Sequence, residues 1–213
     1  MPVKAKKKHA LKVLELLDTE YPSDIKSFLD FKDPFELLIA TILSAQCTDK
    51  RVNKVTPVLF GKFPTPQAFA SAPAEEIEKE IFSTGFYKQK AKSIKSCCED
   101  LIKKHGGEAP KDFNALTELA GVGRKTASVV MSQAFGVPAI AVDTHVKRLS
   151  NLLGFIDSDD AEKIEMKLRE LFPEESWINI SHKLIIHGRE ICIARRPKCH
   201  ECVLNEICPS GII

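Results

Sequence analysis

Apolar residues recur at i, i+3 and i+4 through most of the chain, the spacing that lays a stripe along one side of an α-helix, and strand-like patterns are hard to find. Residues 9–19 put Leu11, Val13, Leu14 and Leu17 along one side and predict a packing helix, with Asp24 as the cap of a short helix after it. The run from Phe35 to Leu43 is apolar almost all round, which marks a helix central to a helical domain and ending at Ser44-Ala45-Gln46-Cys47. Thr48 or Asp49 then caps a helix carrying Val52, Val55, Val58, Leu59 and Phe60; Pro57 inside it predicts a kink or an early end. Two short helices are expected over 64–72 and 73–83, the second burying Ile77, Ile81 and Phe82. Gly85-Phe86-Tyr87 interrupts the pattern before Lys88, Lys90 and Lys92 open a helix that continues through Ile94 and Leu101. An aromatic-tipped loop beside cations suits a nucleic-acid wedge with phosphate contacts, and Phe86 as ordinary core is the competing reading. Cys97 and Cys98, at no ligand-like spacing, read as buried free thiols.

Composition agrees with an all-α fold: 44% of the 213 residues are hydrophobic, and only ten are glycine. The length suits one or two domains with a sizeable core. A net charge of +2 says little about partners, because a nucleic-acid binder of this kind needs local basic patches and not a uniformly basic surface. No apolar run approaches the ~18 residues of a membrane span, and no signal-peptide hydrophobic region opens the chain, so a soluble, intracellular protein is expected. Lys4, Lys6, Lys7 and Lys8 read as a solvated, partly disordered end or as an arm touching DNA. Seven cysteines, four of them in the last 22 residues, make a poor disulfide framework and a good metal-site pattern, and imply a reducing compartment.

The most informative stretch is Leu119-Ala120-Gly121-Val122-Gly123-Arg124-Lys125-Thr126-Ala127. Two glycines one residue apart between apolar-periodic runs predict a very tight interhelical turn, with positive φ and close backbone approach expected at the glycines. Such a turn presents backbone N–H groups and a helix N-terminus to a phosphate. Lys125 stands in the first turn of the following helix, and 18 residues later Asp143 is placed as the N-cap of another. Taken singly, the lysine is a phosphate contact and the aspartate a cap. Presented together they form a candidate working pair. Near the end, Cys192-x6-Cys199-x2-Cys202-x5-Cys208 supplies four thiolates able to close a zinc site or hold a 4Fe-4S cluster. Arg195, Arg196 and Lys198 lie between the first two ligands, as a phosphate-contacting surface or a solvated charge run.

The 121–127 phrase, followed by Val142-Asp143-Thr144-His145 and the four terminal cysteines, closely resembles the endonuclease III family, bifunctional DNA glycosylases of the helix-hairpin-helix superfamily, over nearly the whole chain from about Leu11 to Cys208. The resemblance implies two all-helical lobes with a DNA-binding cleft between them. A six-helix lobe with the hairpin would span 25–136, and 1–24 with 137–213 would build the iron-sulfur lobe; Val137-Pro138 is the only boundary cue in the residues themselves. By the same resemblance Lys125 attacks the sugar carbon, expels the base and forms a Schiff base that permits β-elimination on the 3′ side. Its helix N-terminus and Arg124 oppose protonation of the amine. Asp143 stabilises positive charge on the sugar and assists deprotonation of Lys125.

The resemblance further implies that Gly121, Val122, Gly123 and Arg124 grip the backbone of DNA, that Gln46 and Phe86 fill the gap left by an extruded base, and that Ser44 and His145 support these groups by packing. An aromatic at Phe86, where some relatives carry an aliphatic residue, would alter opposite-base preference, and Ala120, where a proline is frequent, would loosen the turn. The cysteine spacing matches the family's 4Fe-4S cluster in preference to zinc, in a structural role. The expected partner is double-stranded DNA with abasic sites or damaged bases, oxidised pyrimidines first, acted on by a monomer, nucleoid-associated if prokaryotic. An adenine-mismatch glycosylase is the enzymatic alternative, disfavoured by Lys125 and by the lack of that family's extra C-terminal domain; a noncatalytic DNA-binding hairpin module is the other.

Overall fold

The computed structural model describes residues 3–22 and 27–211, and every regular element among them is helical. The cap expected at Asp24 lies outside the described residues. The chain divides into two compact units, Lys26–Val137 and Met1–Ile25 with Pro138–Ile213.

In the unit Lys26–Val137 the helices are α2 (Pro34–Leu43), α3 (Asp49–Lys62), α4 (Pro66–Ser71), α5 (Ala74–Ile81), α6 (Tyr87–His105), α7 (Phe113–Thr117) and α8 (Arg124–Gln133). Asp33 starts α2 by accepting the Glu36 N–H at 2.8 Å, with Pro34 in the first turn where its missing N–H costs nothing. Every residue from Leu37 to Leu43 is buried, and α3, α6 and α8 pack around this helix as its apolar circumference requires. Thr48 caps α3. The helix runs on through Pro57 instead of ending there, because proline deletes a single donor while burial of Val52, Thr56, Leu59 and Phe60 holds both sides of it. Phe82, expected in the core, sits in a 3-10 turn (Phe82–Thr84), is 64% exposed and leans on Tyr87 with ring centroids 4.8 Å apart. Cys97 and Cys98 are fully buried, and burial pushes the Cys97 thiol up to about 12.

The other unit contains α1 (Val3–Glu20), α9 (Thr144–Leu152), α10 (Ala161–Leu171) and α11 (Trp177–Glu190). The basic residues Lys4, Lys6, Lys7 and Lys8 are not a disordered tail: α1 begins at Val3. Lysine and alanine are good helix formers, and the Lys6 ammonium donates to the Phe155 carbonyl at 3.3 Å. The buried stripe of α1 is Ala10, Val13 and Leu17, with Leu11 turned outward. Its Asp18 pairs with Lys183 of α11, a lysine with no solvent exposure. Gly188 lets α11 approach α9 closely; a Cβ there would stand 2.9 Å from the His145 Cβ. No helix among the described residues is long and apolar enough to cross a membrane.

Candidate active site

The turn between α7 and α8 is anchored by the buried side chains of Leu119 and Val122 and closed by the Val122 N–H donating to the Leu119 carbonyl at 3.1 Å. Gly121 has φ +77, and a Cβ on it would lie 2.8 Å from the Ser93 Cβ of α6, so both conformation and space demand glycine. Gly123 differs from the expectation of positive φ. It is extended at φ −93, ψ 176, and a Cβ there would meet nothing within 4 Å. It is the N-cap of α8, a helix with no side-chain cap, so its first N–H groups have no capping side chain as acceptor. Arg124 and Lys125 are exposed in that first turn, and the Arg124 guanidinium lies 5.0 Å from the Phe113 ring centroid.

Asp143 follows a buried segment, Ala139, Ile140 and Ala141, whose last carbonyl accepts the Ser181 hydroxyl at 3.2 Å. It caps α9 through one oxygen: Oδ1 accepts the N–H groups of His145 and Val146, both at 2.8 Å. Oδ2 takes neither bond. The carboxylate is half-buried and held in one orientation by the helix it starts. His145 is half-buried beside Gly188, 3.4 Å from the Arg148 guanidinium, in a packing position.

Gln46 and Phe86 lie on two turns in the same unit and are the only non-glycine residues with positive φ among those described, at 52 and 49. Both are exposed, Phe86 by 65%, which removes the reading of Phe86 as core. Left-handed backbone on a glutamine and a phenylalanine is strain held by the surroundings. Ser44 ends α2, its hydroxyl donating to the Thr41 carbonyl at 2.8 Å. Lys90, expected among the exposed cations of α6, is instead 5% exposed, with its ammonium 2.8 Å from both the Leu43 and Thr84 carbonyls.

Cys192, Cys199, Cys202 and Cys208 line one cavity of about 100 Å³, whose other walls include Leu149, Leu153, Ile191 and Leu204. Among the described residues no three His, Cys, Asp or Glu side chains close around a single-ion position. Four thiols lining one chamber with apolar walls suit a multi-atom cluster. Burial pushes the Cys192 and Cys202 thiols up. Arg195 and Arg196 are exposed on this loop; Lys198 is half-buried, with its ammonium 3.8 Å from Glu201.

Two supports were not visible in the sequence. Arg148 donates to the carbonyls of Gly188 at 2.9 Å and Cys192 at 2.6 Å, tying α9 to the start of the cysteine loop. His187 is buried between the Tyr21 hydroxyl, 3.0 Å from Nδ1, and the Cys202 sulfur, 3.3 Å from Nε2, and burial holds it down at about 4. The histidine just upstream of Cys192 was the one available signal for the second.

Residues 39–174 match the model of the HhH-GPD superfamily of base excision DNA repair proteins. Endonuclease III of Synechocystis sp. is 48% identical over 208 residues, 97% of this chain and 94% of that relative. The chain belongs to the endonuclease III family. Residues 192–208, which begin and end on the outer two of the four thiols, match the iron-sulfur binding domain of endonuclease III, and the cofactor of the chain is a 4Fe-4S cluster. A solved trapped endonuclease III–DNA covalent intermediate, an estranged-adenine complex, is 47% identical and superposes with a TM-score of 0.92 over 96% of each chain. A thermostable thymine-DNA glycosylase, 27% identical, superposes with a TM-score of 0.85 over 97% of this chain and 98% of its own.

Proposed function

We propose that Lys125 is the nucleophile and Asp143 the supporting carboxylate of this bifunctional DNA glycosylase and AP lyase, acting on damaged bases in double-stranded DNA. The observation that carries the reading is the start of α8: an exposed lysine in the first turn of a helix whose N-terminus no side chain caps, directly after the glycine turn. The Lys125 Nζ attacks C1′ as the bond from C1′ to the base breaks, and the base leaves with the bonding pair and takes up a proton. Ring opening gives the C1′ Schiff base. Loss of a C2′ proton then expels the 3′ phosphate, which is β-elimination. The Asp143 carboxylate offsets positive charge on the sugar and accepts the proton that Lys125 must lose.

Gly121 and Gly123 present the turn's backbone to a phosphate, with Val122 holding the turn through its own bond to the Leu119 carbonyl, Arg124 alongside, and the open space at Gly123 giving the phosphate room. Gln46 and Phe86 enter the stack vacated by the extruded nucleotide. Cys192, Cys199, Cys202 and Cys208 hold the cluster, which supplies structural cross-linking and leaves Arg195, Arg196 and Lys198 on a loop fit to meet phosphate. Oxidised pyrimidines are the proposed lesions, and a monomer the working form.

Borohydride reduction during turnover tests the mechanism. The wild-type chain is expected to become covalently trapped on abasic-site duplex, and Lys125→Gln to bind the same duplex without trapping. DNA binding with no trapping by the wild type would leave only a DNA-binding module. A panel of duplexes with defined lesions identifies the base removed.

A further inference from the structure

Outside the residues assigned above, a second buried ammonium is that of Lys90. A lysine four positions into the α6 sequence, among Lys88 and Lys92, would ordinarily extend into solvent. Here its side chain turns inward and donates to two carbonyls from separate segments, Leu43 and Thr84, both at 2.8 Å. Burying a cation costs solvation that an apolar side chain would not lose, and burial lowers the pKa of this amine.

The two acceptors define what the ammonium holds. Leu43 is the last residue of α2, where carbonyls lack helical partners and the negative end of the helix dipole favours a cation. It stands three residues before Gln46. Thr84 closes the 3-10 turn two residues before Phe86, and its own hydroxyl is tied back to the Ile81 carbonyl at 2.8 Å. One ammonium therefore joins the stems of the two turns that carry left-handed, exposed, non-glycine residues. The Lys90 N–H also donates to the Phe86 carbonyl at 3.0 Å, so backbone and side chain of one residue fix the second turn from both ends.

We propose that Lys90 is a positioning residue that clips the Gln46 and Phe86 turns together, so that both side chains enter a base stack as one preset unit and jointly estrange the opposite base. The inference rests on the proposed insertion of Gln46 and Phe86. Its consequence is energetic coupling between residues on separate loops: removing either should forfeit much of what the other contributes.

The test uses the full-length, cluster-containing protein and an abasic duplex with 2-aminopurine opposite the lesion, whose fluorescence rises as that base unstacks. Gln46→Ala and Phe86→Ala are each expected to lower the rise, and the double variant to lose about 5-fold less than the product of the two single effects. In a Lys90→Gln background the same cycle becomes multiplicative, and Schiff-base trapping falls about 10-fold more on duplex than on single-stranded abasic DNA, which needs no base extrusion. Lys90→Met gives the stronger version where it folds. Hydrogen exchange of the unaltered protein supplies a measurement independent of any variant: segments 44–47 and 84–87 should open together. If the single variants leave fluorescence unchanged, the insertion reading falls and the clip's role with it. If they lower it but the coupling survives Lys90→Gln, or the two segments open independently, the clip alone is overturned.

Discussion

α8 starts on Gly123, which offers its helix no side chain, whereas α9 starts on Asp143, whose Oδ1 takes two of the first N–H groups at 2.8 Å. Each helix carries at its N-terminus one of the two residues proposed for the chemistry, and the two arrangements suit opposite tasks. A bare N-terminus stabilises an anion arriving from outside and disfavours a second positive charge beside it, a suitable setting for phosphate and for an amine that must act as a nucleophile. A capped N-terminus uses its carboxylate from within, and the two helix bonds orient it before any substrate arrives. One local rule, the unsatisfied N–H groups at a helix start, suits recognition when left open and orientation when closed.

The comparison is broken most severely by removing the chemistry at the open end. Lys125→Gln is expected to lower base release and strand cleavage on the order of 10³-fold or more while α8 and duplex binding persist, as seen by single-turnover kinetics and electrophoretic mobility. At the closed end, Asp143→Asn keeps an oxygen to cap α9 but loses the charge. Its melting temperature should stay close to that of the wild type while turnover falls about 10²-fold or more. Asp143→Ala should add a stability loss of about 1 kcal/mol from the missing cap. Wild-type turnover by Asp143→Asn would reduce that residue to a cap alone.

The two glycines of the turn separate folding from binding. Gly121→Ala meets both positive φ and the Ser93 side chain, and should destabilise by about 1–3 kcal/mol in denaturant titrations. Gly123→Ser meets neither, and supplies the cap that α8 lacks. A gain of a few tenths of a kcal/mol in stability is expected, with several-fold weaker duplex binding as the new side chain competes for the N–H groups. Tighter binding by Gly123→Ser would contradict an open phosphate site there.

Much of this comparison was legible in the residues because it rests on short-range chemistry. The apolar circumference of Phe35 to Leu43, a capping aspartate before α9, glycines in the hairpin and the cysteine spacing each announce a local requirement. Residues that depart from their local pattern do so for a different reason. Lys90 has the composition of a surface residue, and only the approach of two distant carbonyls makes burial tolerable; Phe82 has the composition of a core residue, and its turn carries it outward. At Pro57 the early end, one of the two outcomes expected beside a kink, does not occur, because the packing of α3 outweighs one lost hydrogen bond. Gly123 looked conformationally special when its distinction is the empty space in front of it. Arg148 acts through carbonyls 40 and 44 residues away, and His187 joins Tyr21, 166 residues away, to Cys202, 15 residues away, spacings that no helix or turn pattern announces.

On the proposed mechanism the amine at the open end of α8 forms the bond to DNA. Borohydride-reduced complex on abasic duplex, digested and sequenced by mass spectrometry, tests it directly. The deoxyribose remnant is expected on Lys125. A remnant on any other lysine, or an adduct that persists in Lys125→Gln, would contradict the assignment.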